Sequence, residues 1–144
     1  MKNRNQIISN FEKNLESFKI INSLSHPVMH EVSVAYGICE IIENERAKAN
    51  AFRISKVEID VGTLSGIETE ALLFAWDIVT KNTPAEEAPL VINSIKAMAT
   101  CLDCGKTFET QDYFSPCTEC GSFKTNIIQG KEMQVKSITV EDGQ

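Results

Sequence analysis

The spacing of hydrophobic positions changes repeatedly along this chain, and each change marks an element. From Glu31 onward, Val32, Ala35, Ile38, Cys39 and Ile42 recur on one helical face, while Glu40, Glu43, Asn44 and Arg46 fall on the other. This predicts an amphipathic helix, closed by Asn50, a residue that tolerates the left-handed turn at a helix end. In residues 53–61, Val57, Ile59 and Val61 alternate with the charged Lys56, Glu58 and Asp60, which predicts a strand with one wet face. The turn Gly62-Thr-Leu-Ser-Gly66 follows, with Ser65 a candidate N-cap. It lacks the Gly-Lys-Ser/Thr ending of a phosphate loop. A second helix is expected over residues 67–81, with Ala71, Phe74, Ala75 and Ile78 as its buried stripe and Trp76 packed beside it or at its rim. Thr83-Pro84 stops it. Residues 89–99 (Leu90, Ile92, Ile95, Ala97) read as a second strand and residues 132–140 as a third.

Between the last two strands the texture changes to paired cysteines. Cys101-Leu-Asp-Cys104 and Cys117-Thr-Glu-Cys120 are separated by twelve residues, and a glycine, Gly105 or Gly121, follows each pair. A glycine there lets the backbone take positive φ, so that amide N–H groups turn toward the sulfurs. Four thiolates on two such knuckles form a closed tetrahedral shell, which suits a structural zinc ion and leaves no position for substrate. Two disulfides would suit a secreted domain, and a thioredoxin-type centre would use one such pair instead of two. A rubredoxin-type iron centre uses similar spacing and stays open at this stage. The order of elements predicts an α+β fold: a small domain of two helices and a three-stranded sheet (residues 29–99 and 131–144). A four-cysteine zinc-ribbon module, residues 100–130, is inserted into it. Cys39, the fifth cysteine, reads as a small buried thiol.

Residues 1–28 differ from the rest, being rich in Asn, Ser, Lys and Ile. Ile8, Phe11, Leu15 and Phe18 fall at helical spacing, but a terminal segment of this composition reads first as a mobile leader, or as one not translated, with Met29 the initiator. Glu12 and Glu16 argue against a transit peptide, and no apolar run reaches membrane-spanning length, so a cytoplasmic protein is expected. Charge then narrows the function classes. A net charge of -6, with Asp103, Glu109, Asp112 and Glu119 inside the cysteine module, disfavours nucleic-acid binding, which draws on Lys and Arg. A hydrolase would need an open zinc position, yet the two histidines, His26 and His30, lie far in sequence from the cysteines. A zinc-ribbon adaptor stays open.

One set of residues carries a resemblance. Met29-His30-Glu31-Val-Ser33 opening a helix, Val57-Glu-Ile-Asp-Val-Gly62-Thr-Leu-Ser65-Gly66, and the cysteine pairs closing with Pro116-Cys117 and Cys120-Gly121-Ser122 together resemble the HypA/HybF family of nickel metallochaperones. The likeness runs from Met29 to the last strand. It implies no catalysis: nickel is bound as cargo and passed on, together with a partner GTPase, to the large subunit of a nickel–iron hydrogenase, and in some organisms to urease maturation. It also implies His30 as nickel ligand, with the Met29 amine and the main-chain nitrogens of His30 and Glu31 beside it, and Cys101, Cys104, Cys117 and Cys120 as zinc ligands. A planar set of nitrogens suits Ni(II), whereas tetrahedral thiolates suit zinc. The oligomeric state expected is monomer or homodimer. The chain departs from the pattern in one respect: Met29 is not residue one, so with the leader in place no free amine precedes His30. His26 then lies nearest, although Pro27 prevents a regular helical pairing of the two, and His26 reads as a solvated linker residue.

Overall fold

In a computed structural model of the chain, which describes residues 5–9 and 30–142, the elements run β1 (Asn5–Ser9), α1 (His30–Lys48), β2 (Arg53–Gly62), α2 (Thr69–Val79), β3 (Leu90–Ile95), β4 (Met98–Cys101), β5 (Thr107–Glu109), β6 (Thr125–Gln129) and β7 (Met133–Glu141). The strands form a four-stranded sheet in the order β1-β7-β2-β3 and a three-stranded sheet in the order β5-β4-β6. The chain divides into two compact units. One comprises residues up to Ile59, Ile67–Ile92 and the segment from Gln134 on; the other comprises Asp60–Gly66 and Asn93–Met133.

The first unit holds both helices. On α1, Val34, Ala35, Ile38, Ile41 and Ile42 are buried, so the predicted face is present but turned slightly: Val32 and Cys39 are only half-buried. Asn50 ends the helix with φ 53, and Arg46 braces the exit, donating from Nη1 to the Ala51 carbonyl (2.6 Å) and from Nε to Glu43 (2.8 Å).

The stripe expected on α2 requires correction. Leu72, Ala75 and Trp76 are the buried positions, whereas Ala71, Phe74 and Ile78 face outward, Phe74 with 71% of its surface exposed. Nearly every residue from Ala71 to Val79 is apolar, so two stripes with the same 3.6-residue period compete and spacing cannot choose between them. Trp76 decides it: its indole is buried and donates from Nε1 to the Ala88 carbonyl at 2.8 Å. The helix also starts later than predicted. Glu68, not Ser65, is the N-cap, accepting from the Glu70 amide.

Strands β7, β2 and β3 lie side by side in the four-stranded sheet. Amide bonds from Val57 to Pro89 and from Thr63 to Ile95 advance together, which makes β2 and β3 parallel with α2 as their crossover. On the other side, bonds from Phe52 to Glu141 and from Gly62 to Glu132 run oppositely, so β7 is antiparallel to β2. Buried positions along β7 change phase between Val135 and Ile138, the mark of one extra residue in the strand. The strand expected over residues 89–99 is two strands, β3 and β4, broken at Lys96-Ala97.

The fourth strand comes from the leader. Asn5–Ser9 pairs antiparallel with β7, from Asn5 opposite Glu141 to Ser9 opposite Ser137. Ile8, first residue of the helical pattern anticipated there, therefore lies in a strand, while Phe11, Leu15 and Phe18 fall outside the described residues.

The second unit is organised on β4, which pairs antiparallel with β5 and with β6, the latter with an irregularity at Met98/Ala99. Its small core is Ala99, Cys101, Phe108 and Cys117, with Ile127 packed against it. Two glycines let backbones close up here. A Cβ on Gly62 would collide with the Gly130 carbonyl, and one on Gly130, at φ 102, would strike Ala97.

Candidate metal centre

The cysteine cluster is built by two turns of the same design. In the first, the Gly105 amide donates to the Cys101 carbonyl (2.9 Å) and the Cys101 amide to the Lys106 carbonyl (2.8 Å). In the second, Gly121 donates to Cys117 (3.0 Å) and Cys117 to Ser122 (2.8 Å). Gly105 and Gly121 have φ of 79 and 73, the left-handed conformation that the knuckle pattern predicts. Each turn aims an amide at a sulfur: Cys104 N lies 3.4 Å from Cys101 Sγ, and Glu119 N lies 3.4 Å from Cys117 Sγ.

The four sulfurs converge. Cys101 and Cys120 stand 3.6 Å apart, as do Cys104 and Cys117, and all four ligand atoms lie within 4.8 Å of one another. Metal–sulfur bonds of ~2.3 Å in a tetrahedron place sulfurs roughly 3.8 Å apart, so the cluster has the size of a four-thiolate shell. Disulfide pairing does not describe it, since all the cysteines are free. Cys101 and Cys117 are buried and Cys104 and Cys120 exposed, so one cysteine of each knuckle is anchored in the core and the other stands at the surface.

The electrostatics pull the thiols apart. The backbone N–H of Cys120, with that of Glu119, draws the Cys117 thiol down to about 7. At Cys104 the Lys106 N–H acts in the same direction, but loss of water and the crowding of Cys117, Cys120 and Cys101 prevail, and the thiol is pushed up to about 12. So close a set cannot ionise together on its own; a divalent cation at its centre favours the thiolate at all four positions.

Two contacts between the knuckles were not read from the sequence. Ser122 Oγ donates to Asp103 Oδ2, and Lys106 pairs with Glu119 at 2.6 Å. Both pairs bridge separate turns, and spacing alone does not say which polar residues of the two turns meet.

In the unit that holds the helices, His30 is the first residue of α1, while Met29 and His26 lie outside the described residues. Glu31 Oε1 accepts from the Glu68 amide at 3.1 Å, so the first turn of α1 is tied to the cap of α2. That Glu31 meets Glu68 was not read from the sequence. Cys39 lines a cleft of about 400 Å³ with Tyr36, Ile42, Ile54 and Pro84. Burial pushes its thiol up to about 11, as fits an inert apolar side chain.

Comparison with known proteins adds what geometry cannot. A family profile described as hydrogenase/urease nickel incorporation, metallochaperone, hypA, matches residues 29–140. The hydrogenase maturation factor HypA of Chlorobium phaeobacteroides is 39% identical over 113 residues, 78% of this chain and 100% of the relative. That of Parabacteroides distasonis is 37% identical over 113 residues, 78% of this chain and 98% of the relative. The solution structure of the Ni metallochaperone HypA from Helicobacter pylori superposes with a TM-score of 0.59 at 24% identity, over 78% of this chain and 98% of that one, a likeness of fold.

Proposed function

The chain belongs to the HypA family of hydrogenase/urease nickel-incorporation metallochaperones, and on that footing we propose that it carries Ni(II) for maturation of a nickel–iron hydrogenase. The observation that carries the reading is the match across residues 29–140, which takes in both the Met29-His30-Glu31 opening and the four-cysteine cluster. Nickel is cargo, not a reagent: the chain acts as a carrier in the cytosol and not as an enzyme. It works with a nickel-delivering GTPase, with the hydrogenase large subunit as recipient, and with urease maturation proteins where urease is the client.

In this reading His30 supplies an imidazole, and main-chain nitrogens of Met29, His30 and Glu31 complete a planar set that favours Ni(II). The place is chemically suited. The first amides of a helix have no intrahelical acceptor, so those at the start of α1 can lose a proton and ligate without unwinding the helix. The Glu31–Glu68 hydrogen bond supports the same reading, since it holds the first turn of α1 in place while leaving its backbone nitrogens to the metal. Cys101, Cys104, Cys117 and Cys120 hold zinc, which has no open position and serves to fold residues 100–130 as an inserted zinc-binding domain of the nickel-binding domain, residues 29–99 and 131–144.

The direct test is His30→Ala. Nickel binding is lost while zinc stays at about one per chain, because the two sites use different ligands and geometries. Loss of both metals together would contradict separate sites, and undiminished nickel binding would remove His30 from the site.

A further inference from the structure

The strand β1 is an addition to the family's fold. The 113 matched residues account for 100% of the Chlorobium phaeobacteroides relative, and the family profile spans residues 29–140, so nothing in that relative corresponds to Asn5–Ser9. Without β1, the outer edge of the four-stranded sheet is β7. That edge is a strong strand acceptor. It is rich in β-branched residues (Val135, Ile138, Thr139, Val140), and an exposed row of unpaired amides recruits another strand.

The hydrogen-bonding faces can be assigned. The carbonyls of Glu141 and Thr139 accept from Phe52 N (2.8 Å), just before β2, and from Ser55 Oγ (3.2 Å) in β2. Backbone groups alternate along a strand, so Ile138 and Val140 turn theirs outward, to their register partners Ile8 and Gln6. Side chains add little to this pairing: Asn5, Gln6 and Ile7 are exposed, Ile7 by 70%, and Ile8 is half-buried. Backbone bonding therefore holds β1, which makes it a cover for the edge and not a part of the core.

We propose that residues 5–9 cap β7 in cis and keep the chain monomeric, and that the uncapped edge pairs with the β7 edge of a second copy about a two-fold axis. The register observed with β1 shows that an antiparallel strand fits over Ser137–Glu141. Centred on Thr139, a second β7 places Thr139 opposite Thr139, Ile138 opposite Val140 and Ser137 opposite Glu141. No like charges oppose, and β-branched residues meet β-branched residues. This inference does not depend on the nickel reading.

The experiment is sedimentation velocity on the zinc-loaded full chain and on variants, with zinc content and far-UV circular dichroism checking the fold. Gln6→Pro/Ile8→Pro removes both amides that face β7. Ile7→Pro, whose amide faces solvent at the open edge, is the control. The full chain and Ile7→Pro sediment as monomers, 16.0 kDa for the full chain. The double variant sediments at twice its monomer mass, as does residues 29–144, the portion that corresponds to entire relatives. A peptide spanning residues 4–10, added in excess, returns the dimer to monomer. A double variant that keeps its zinc and stays monomeric overturns the proposal. So does open-ended association, or a dimer the peptide leaves intact, because each places self-association elsewhere than the β7 edge.

Discussion

Trp76 shows how one side chain sets a helix's orientation. Its ring fills the space under α2, and its Nε1–H satisfies the Ala88 carbonyl inside the core. Trp76→Phe removes that donor and part of the buried ring system, and should cost at least about 1–3 kcal/mol in a urea denaturation of the zinc-loaded protein, with a cavity term added. Cys39 makes a second prediction at this scale. Its pKa is raised from 9.0 to about 11 by burial. The folded state thus favours the neutral thiol: its contribution to stability is complete below about pH 9, and is lost as pH rises through about 11. With the other four cysteines held by zinc, alkylation of the remaining thiol should be slower than that of free cysteine at pH 8 and should accelerate toward pH 11. Rapid reaction at pH 8 would mean the α1 cleft opens to solvent. The cysteine knuckles are the part of the site most legible in the sequence, because the ligand spacing and the following glycine are local requirements of one turn. The meeting of Asp103 with Ser122, and of Glu31 with Glu68, depends on tertiary placement and had no local signal.

Among the elements, α2 offers the sharpest contrast. Leu72 is wholly buried and Phe74 mostly exposed, although both are large and apolar. Leu72→Ala should destabilise the protein by about 2–5 kcal/mol. Phe74→Ala should stay within about 0.5 kcal/mol. Equal effects would mean that the helix sits in the other phase. The α1 pattern was readable because charged residues mark its outer face, and α2 was misread because it has almost none. Strands β2 and β7 announced themselves by alternation. By contrast, β5, three residues long, and β6, with polar and apolar residues mixed, lie below the length at which a period can be seen. The knuckles make a further prediction. Cys104→Ser should abolish zinc binding and unfold the cysteine unit, since its core is only a few residues around two of the ligands. Helical circular dichroism should largely persist, because α1 and α2 lie in the other unit. Collapse of the helical signal would show that zinc sustains the whole fold.

For the molecule as a whole, the question is how a carrier of this family works with residues before Met29. A retained leader replaces the free amine by an amide, which must lose a proton before it can bind. Nickel affinity of the full chain should therefore be lower, and should rise more steeply with pH, than that of the chain beginning at Met29. Nothing in the hydrophobic pattern revealed that Asn5–Ser9 joins the sheet, since five residues with two isoleucines fit a helix face or an edge strand equally. The most direct measurement is a calorimetric nickel titration of two zinc-loaded proteins, residues 1–144 and residues 29–144, each with and without His30→Ala. Binding at one nickel per chain that is tighter for the shorter protein and absent from both His30→Ala forms is the predicted result. Nickel binding that survives His30→Ala in both would contradict a carrier built on the start of α1.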